Sequence, residues 1–290
     1  MSEKEKVEGY VEHIIFRNEE NGYTVLNLSM KGRELTCVGT LPMIGEGELI
    51  EASGDYIEHA AYGKQFRIES YETKVPQDSV ALERYLGSGA IKGVGASAAR
   101  IVRRFGDDTL RIIEEEPERL AEVKGISERK AREIAQQVAE KAEMQNAMIF
   151  LSGYGIALNL GAKIYQQYGD NVYRILKENP YKMAEDIAGV GFRTADEIAG
   201  KIGIAVDSEF RIKSGLSYVL NQATAEGHVY LPEPVLLRRG QELLGVEPER
   251  MQKSLQDMAI DKKAVIRELP AEREGDEPLR IVYASQDYYL

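Results

Sequence analysis

Apolar and polar residues alternate along the opening stretch of the chain, and a period of two predicts strands. The first run is Val7-Glu8-Gly9-Tyr10-Val11-Glu12-His13-Ile14-Ile15-Phe16, followed by a tight turn at Asn21-Gly22. Tyr23–Leu28, Leu35–Gly39, Leu49–Gly54 and Gly63–Tyr71 read as four more strands. Five short strands with Gly-rich turns predict a small closed barrel. Tyr62, Lys64, Phe66 and Arg67 are of the right kinds to hold a single strand of nucleic acid there. Equally, the Tyr and Phe residues serve as barrel core.

Val75-Pro76 ends the alternation, and the period becomes helical. Ala98, Ile101, Val102 and Phe105 fall on one helical face. Ser127 is placed to cap a helix running to Ala142. From Asp207 the pattern changes again. Asp207-Ser208-Glu209 caps a helix to Glu226-Gly227, a second helix runs from Pro232 or Glu233 to Leu244, and Pro248 opens a third, to about Ile260. Ala264–Glu268 and Leu279–Tyr283 read as strands joined by an acidic turn, Ala271 to Pro278. Three helices and a hairpin are the order of a winged helix, or of a small α+β packing domain. Acidic residues in the wing speak against its entering a DNA groove.

One phrase recurs in the helical part. Ile91-Lys92-Gly93-Val94-Gly95 leads into the helix that holds Ile101. Val123-Lys124-Gly125-Ile126-Ser127 and Ile187-Ala188-Gly189-Val190-Gly191 do the same, and Leu151-Ser152-Gly153-Tyr154-Gly155 is a looser copy. The connecting segments also repeat: Phe105-Gly106-Asp107-Asp108 through Glu116-Pro117 matches Tyr168-Gly169-Asp170-Asn171 through Asn179-Pro180. Gly93 to Gly153 is 60 residues and Gly125 to Gly189 is 64, so a unit of two hairpins occurs twice in tandem.

This pattern resembles the helix-hairpin-helix family in its paired form. The resemblance implies a hairpin that binds the nucleic-acid backbone without reading bases. The physical basis is plain: glycine reaches positive φ, and the unpaired amides at a helix start form an anion site. The candidate contacts are Lys92, Gly93, Val94, Gly95, Ser97 and Arg100 in the first copy. In the second they are Lys124, Gly125, Ile126, Ser127, Arg129 and Lys130; in the third, Gly189, Gly191 and Arg193. Glu128 and Glu133 stand among the cations of the second copy, as on an ordinary solvated helix face. Ala188 replaces Lys92 and Lys124 in the third copy, and Lys163 follows the loose one, so the second pair is expected to bind more weakly or to act as a spacer or protein contact.

Composition narrows the chemistry. The chain has 290 residues, 29% charged and 43% hydrophobic, which suits two to four folded domains. Its net charge of −11 excludes a simple electrostatic sponge for DNA but not local amide cradles. Its one cysteine, Cys37, excludes an internal disulfide and suits a reducing cytoplasm. No signal peptide or bilayer-spanning run is read. No Gly-x-x-x-x-Gly-Lys-[Ser/Thr] loop occurs, and His13, His59 and His228 lack metal-ligand spacing, so no catalytic residue or metal site is read.

Asn21-Gly22-Tyr23-Thr24-Val25, Tyr62-Gly63-Lys64-Gln65-Phe66 and Gly227-His228-Val229-Tyr230-Leu231-Pro232, with the order of domains, resemble the RecD-like ATP-dependent DNA helicases, also called the exodeoxyribonuclease V alpha subunit family. The resemblance covers the whole chain but only the family's N-terminal portion. It implies a multi-domain α+β protein: an OB-like barrel at 1–75, helix-hairpin-helix pairs at 76–145 and 146–206, and a winged-helix-like domain at 207–290. The family's motor would lie beyond Leu290, so the resemblance implies that the chain is a truncated piece. ATP and Mg2+ belong to that motor; this chain by itself is expected to need no cofactor. For the whole protein the resemblance implies ATP-driven 5′-to-3′ unwinding in DNA repair or recombination. The expected partners are DNA, single-stranded or at a single-strand/duplex junction, and repair proteins, with no membrane. The alternative is a protein-interaction scaffold whose hairpins no longer touch DNA.

Overall fold

The computed structural model describes residues 4–76, 78–271 and 277–288. Contacts divide the chain into two compact units, Met1–Asp170 and Asn171–Leu290.

The first unit opens with a closed five-stranded barrel: β1 (Glu5–Arg17), β2 (Tyr23–Met30), β3 (Arg33–Thr40), β4 (Leu49–His59) and β5 (Gly63–Lys74), in the order β1-β2-β3-β5-β4. All pairings are antiparallel except β3 with β5, where Cys37 lies beside Phe66. The alternation explains the closure. Val7 and Val11, Leu26 and Leu28, Ile50 and Ala52, and Phe66 and Ile68 point inward to one core, as a half-exposed sheet requires. β4 turns sharply at a bulge after Ser53, and only glycine fits at Gly54, because a Cβ there would land on the Arg67 carbonyl oxygen.

The helical part follows. α1 (Ser79–Gly87) is capped by Asp78, whose side chain accepts the Ala81 N–H at 2.8 Å. α2 (Ala98–Phe105), α3 (Thr109–Glu115), α4 (Glu128–Gly153) and α5 (Leu158–Tyr168) complete this unit. Leu82, Ile91, Val94, Ile101, Ile113, Val123, Ile126 and Ile134 form their common core. The helix expected to end near Ala142 instead continues for 26 residues as α4. Neither glycine nor proline interrupts residues 128–152, so nothing local stops it. Its middle is tied to the barrel. Lys141 Nζ meets Glu48 Oε1 at 2.9 Å, and Glu48 Oε2 accepts the Gly45 N–H at 2.8 Å.

The second unit comprises α6 (Val172–Glu178), α7 (Met183–Asp186), α8 (Phe192–Ile202), α9 (Glu209–Ala225), β6 (Leu231–Pro232), α10 (Glu233–Leu244), α11 (Pro248–Ile260), β7 (Ala264–Leu269) and β8 (Leu279–Ala284). The three strands form a sheet in the order β6-β8-β7. The two-residue β6 has no periodicity of its own; it forms because Leu231 and Pro232 lie against Val282 and Ile281 of β8. Ser208 stands at the N-cap of α9, but its side chain makes no capping bond. Residues 272–276 of the acidic turn expected between β7 and β8 lie outside the described residues. One core holds this unit together, from Tyr181 and Phe192 through Ile212, Leu216 and Leu236 to Met251, Leu255 and Val282.

Candidate nucleic-acid interface

The hairpins begin as turns. The Ile126 N–H donates to the Val123 carbonyl at 3.1 Å, and the Val190 N–H to the Ile187 carbonyl at 3.1 Å. Gly125 and Gly189 occupy the third position of these turns with φ of 94° and 85°, as a type II turn demands. The next residue, Ile126 or Val190, is buried and anchors the turn to its core. Then one extended residue, Ser127 or Gly191, opens α4 or α8.

The loose copy follows this plan in a different register from that read in the sequence. Gly153 is the last residue of α4, whereas Gly155 has φ of 69° and is followed by buried Ile156 and extended Ala157. Gly155, not Gly153, is the counterpart of Gly125. Helical continuation through Gly153 decides this, since the helix closes with the Ile156 N–H on the Leu151 carbonyl, at 3.2 Å.

The first copy is one residue shorter. Eight residues separate Gly93 from buried Ile101, against nine from Gly125 to Ile134 and from Gly189 to Ile198. Gly93 has φ of 85°, and Gly95, with φ of 43°, absorbs the missing residue in a 3-10 turn, Gly95–Ser97, before α2.

The first two hairpins exchange cations. A Cβ on Gly93 would lie 3.6 Å from Lys130 Cε, so Lys130 of the second hairpin's helix lies across the first turn. A Cβ on Gly125 would lie 3.4 Å from an Arg100 guanidinium nitrogen, so Arg100 of the first hairpin's helix lies across the second. At both turns a Cβ would only reach ordinary contact with the crossing side chain, so it is the positive φ that calls for glycine there. Arg100 also donates to Ser97 Oγ at 3.0 Å. Lys92, Arg100, Lys124 and Lys130 form no ion pair among the described residues, and Lys92 and Lys124 are exposed. The amides that an α-helix leaves unpartnered in its first turn open beside these cations.

The remaining candidates sort by burial. Val94 and Ile126 are core residues, and their side chains are withdrawn from any ligand. Ser97 is buried and steadies Arg100. Ser127 Oγ accepts the Lys130 N–H at 3.2 Å. Arg129 is shared with Glu133 at 2.9 Å, which partly compensates its charge. Gly189, Gly191 and Arg193 lie in the second unit, with all three exposed. There Phe192, three residues after the turn glycine where the second hairpin has Glu128, is buried between Tyr181 and Tyr218 at ring separations of 5.9 and 5.6 Å. Asp196 accepts the Tyr181 hydroxyl at 2.6 Å and Arg211 Nε at 2.8 Å. Burial, with Asp196 beside it, pushes the Tyr181 hydroxyl well above its ordinary range.

Sequence reasoning missed Gln137. Its Oε1 accepts the Lys92 N–H at 2.8 Å, and its Nε2 donates to the Lys92 carbonyl at 3.0 Å. This clamp fixes the first turn to α4 and occupies the Lys92 amide; the Ser97 and Ala98 amides are bound to the Val94 and Gly95 carbonyls, which leaves those of Gly93 to Ala96 to face a ligand. A glutamine among helical polar residues carries no signal of such a long-range bond.

Two stretches of the chain match domains of known helicases. Residues 4–76 match the OB-fold domain of the ATP-dependent DNA helicase YrrC. Residues 140–230 match the HHH domain of the ATP-dependent RecD2 DNA helicase. That second match starts within α4 and ends after α9, so the first two hairpins lie between the matched segments. The ATP-dependent RecD2 DNA helicase of Deinococcus radiodurans is 26% identical over 239 residues. The alignment takes in 78% of this chain but 33% of the relative, so the chain spans about a third of that protein's length. The five-stranded OB barrel, the helix-hairpin-helix region behind it and this relative together make the chain the counterpart of the N-terminal, nucleic-acid-binding region of a RecD-like helicase.

Proposed function

We propose that the chain engages DNA through the first two hairpins, which cradle backbone phosphates on amides and on exchanged cations without reading bases. The observation that carries this is the crossing of Lys130 over the Gly93 turn and Arg100 over the Gly125 turn. Each turn thereby gains a positive charge that its own sequence does not place there, next to unpartnered helix-start amides. Two such cradles suit a single strand or a single-strand/duplex junction. The Ala188 hairpin of the second unit contributes less, as a weak contact or a spacer. The order α9, β6, α10, α11, β7, β8 supports a winged-helix reading of the second unit's end.

In the whole protein this region would present DNA to an ATP- and Mg2+-dependent motor unwinding 5′ to 3′, in cytoplasmic DNA repair or recombination. The chain by itself is expected to hydrolyse no ATP, since it contains no phosphate loop. A titration of fluorescent oligonucleotides against salt tests the binding mode. Few phosphates are neutralised, so the log–log slope should be shallow, about −0.7 per phosphate on single strands, and affinity should not depend on base sequence. Strong sequence preference would overturn backbone binding. Loss of all DNA affinity would favour the protein scaffold, which the net charge of −11 otherwise supports.

A further inference from the structure

Among the barrel's cations without an ion pair in the described residues, Arg17 is bound to the Leu41 and Ile44 carbonyls, and the other three collect at one end. Lys4, Lys6, Arg67 and Lys74 are each paired with a barrel carboxylate. Lys31, Arg33 and Lys64 form no ion pair among the described residues. They sit together because the β2–β3 turn and the β4–β5 hairpin share an end of the barrel: an Arg33 guanidinium nitrogen donates to the Tyr56 hydroxyl at 3.3 Å. Lys64 Nζ lies 4.4 Å from the centre of the same ring. Tyr56 in turn stands edge-on against fully buried Phe66, at 5.1 Å. One ring rooted in the barrel thus holds two cations at its mouth.

β4 leaves β1 at Gly54, and beyond Tyr56 and Phe66, where β5 parts from β3, β4 and β5 continue as a two-stranded arm. At the arm's tip Tyr62 is 76% exposed. It is nonetheless positioned, with its ring 4.9 Å from that of His59 at a tilt of 35°. An exposed aromatic ring held by a neighbour, two residues from a fixed cation, is a stacking platform. Its apolar face is left to water, and any unpaired base would cover it. Bases inside a duplex have both faces already stacked.

We propose that this end of the barrel binds an unpaired DNA strand, with a base stacked on Tyr62 and its neighbouring phosphates met by Arg33 and Lys64. Glu34 and Glu58 stand next to these cations, so stacking supplies most of the affinity, and salt weakens this contact less than it weakens the hairpins. The site is separate from the hairpins, though it rests on the reading that the chain engages DNA.

The chain contains no tryptophan, so Tyr62→Trp introduces a single reporter. A single-stranded thymidine oligonucleotide should quench it saturably, and a blunt duplex should not. The quench should persist when Lys92→Ala, Lys124→Ala and Lys130→Ala are combined with it. In the otherwise native chain, Tyr62→Ala should lower single-strand affinity about tenfold, with duplex affinity unchanged and Tyr62→Phe restoring most of the loss. No quench at saturating single strand, or an equal loss on both DNAs, overturns the proposal. The hairpins are judged separately: if combining Lys92→Ala, Lys124→Ala and Lys130→Ala leaves affinity for a single-strand/duplex junction unchanged while the single strand still quenches, the result counts against them and not against the barrel.

Discussion

The hairpins at Gly125 and Gly189 have nearly the same backbone and opposite surroundings. Both place a positive-φ glycine before a buried apolar residue and an extended helix-opening residue. Three residues after the glycine, one has exposed Glu128 and the other buried Phe192. Seven residues after it, one has exposed Arg132, with no ion pair among the described residues, and the other Asp196, bonded to Tyr181 and Arg211. The second hairpin turns its helix start to solvent and shares cations with the first. The third turns the corresponding positions into its own core. On the proposed reading, a shared turn offers an anion site only where the residues behind it leave the helix start open.

The largest effect that tests this contrast is on stability. Asp196→Ala should destabilise the protein by about 3 kcal/mol, since Arg211, a largely buried cation, loses its carboxylate. Arg132→Ala at the matching place should change stability by less than about 0.5 kcal/mol. Denaturant unfolding measures both. Equal losses would mean that the two helices are used alike.

Next come the turns themselves. Gly125→Val and Gly95→Val force a β-branched residue to positive φ and should lower DNA affinity about tenfold or more in protein shown to be folded. Gly189→Val strains the backbone equally and should leave DNA affinity within about twofold. Gly95→Val should exceed Lys92→Ala. A folded Gly95→Val protein of native affinity would eliminate the amide cradle there.

Smaller effects belong to the exchanged cations. Lys130→Ala and Arg100→Ala should each weaken binding roughly fivefold, as loss of one charge-assisted contact implies. Lys163→Ala and Arg193→Ala should cost less than about twofold. If the latter pair matters more, the assignment to the first two hairpins is wrong.

The smallest loss expected within the first two hairpins concerns the clamp. Gln137→Ala should weaken DNA binding about threefold and speed hydrogen exchange of the Lys92 amide, while the Gly125 turn is unaffected. Combined with Lys130→Ala, which acts at the same turn, the losses should be less than additive; with Arg100→Ala they should add. Unchanged exchange at Lys92 would show that the clamp is not what holds the turn.

Much of this was written locally. Five alternating runs determined the barrel strands, because a period of two can bury only one face. The glycines at 93, 125 and 189 determined the turns, because no other residue takes positive φ without strain. Asp78 and Ser127 are caps whose partners lie three residues away, within reach of pattern. Other features required the folded chain. Gly155 rather than Gly153 became the turn residue because α4 ran on until its packing ended. Phe66 was withdrawn from any ligand because the closed barrel placed it inside, while Tyr62 stayed out. β6 exists because β8 lies beside it. Lys130 reaches Gly93 across 37 residues, and Gln137 reaches Lys92 across 45. Residue type and spacing specify what a backbone can do nearby, but which side chain of one helix crosses another hairpin is set by how their buried faces pack.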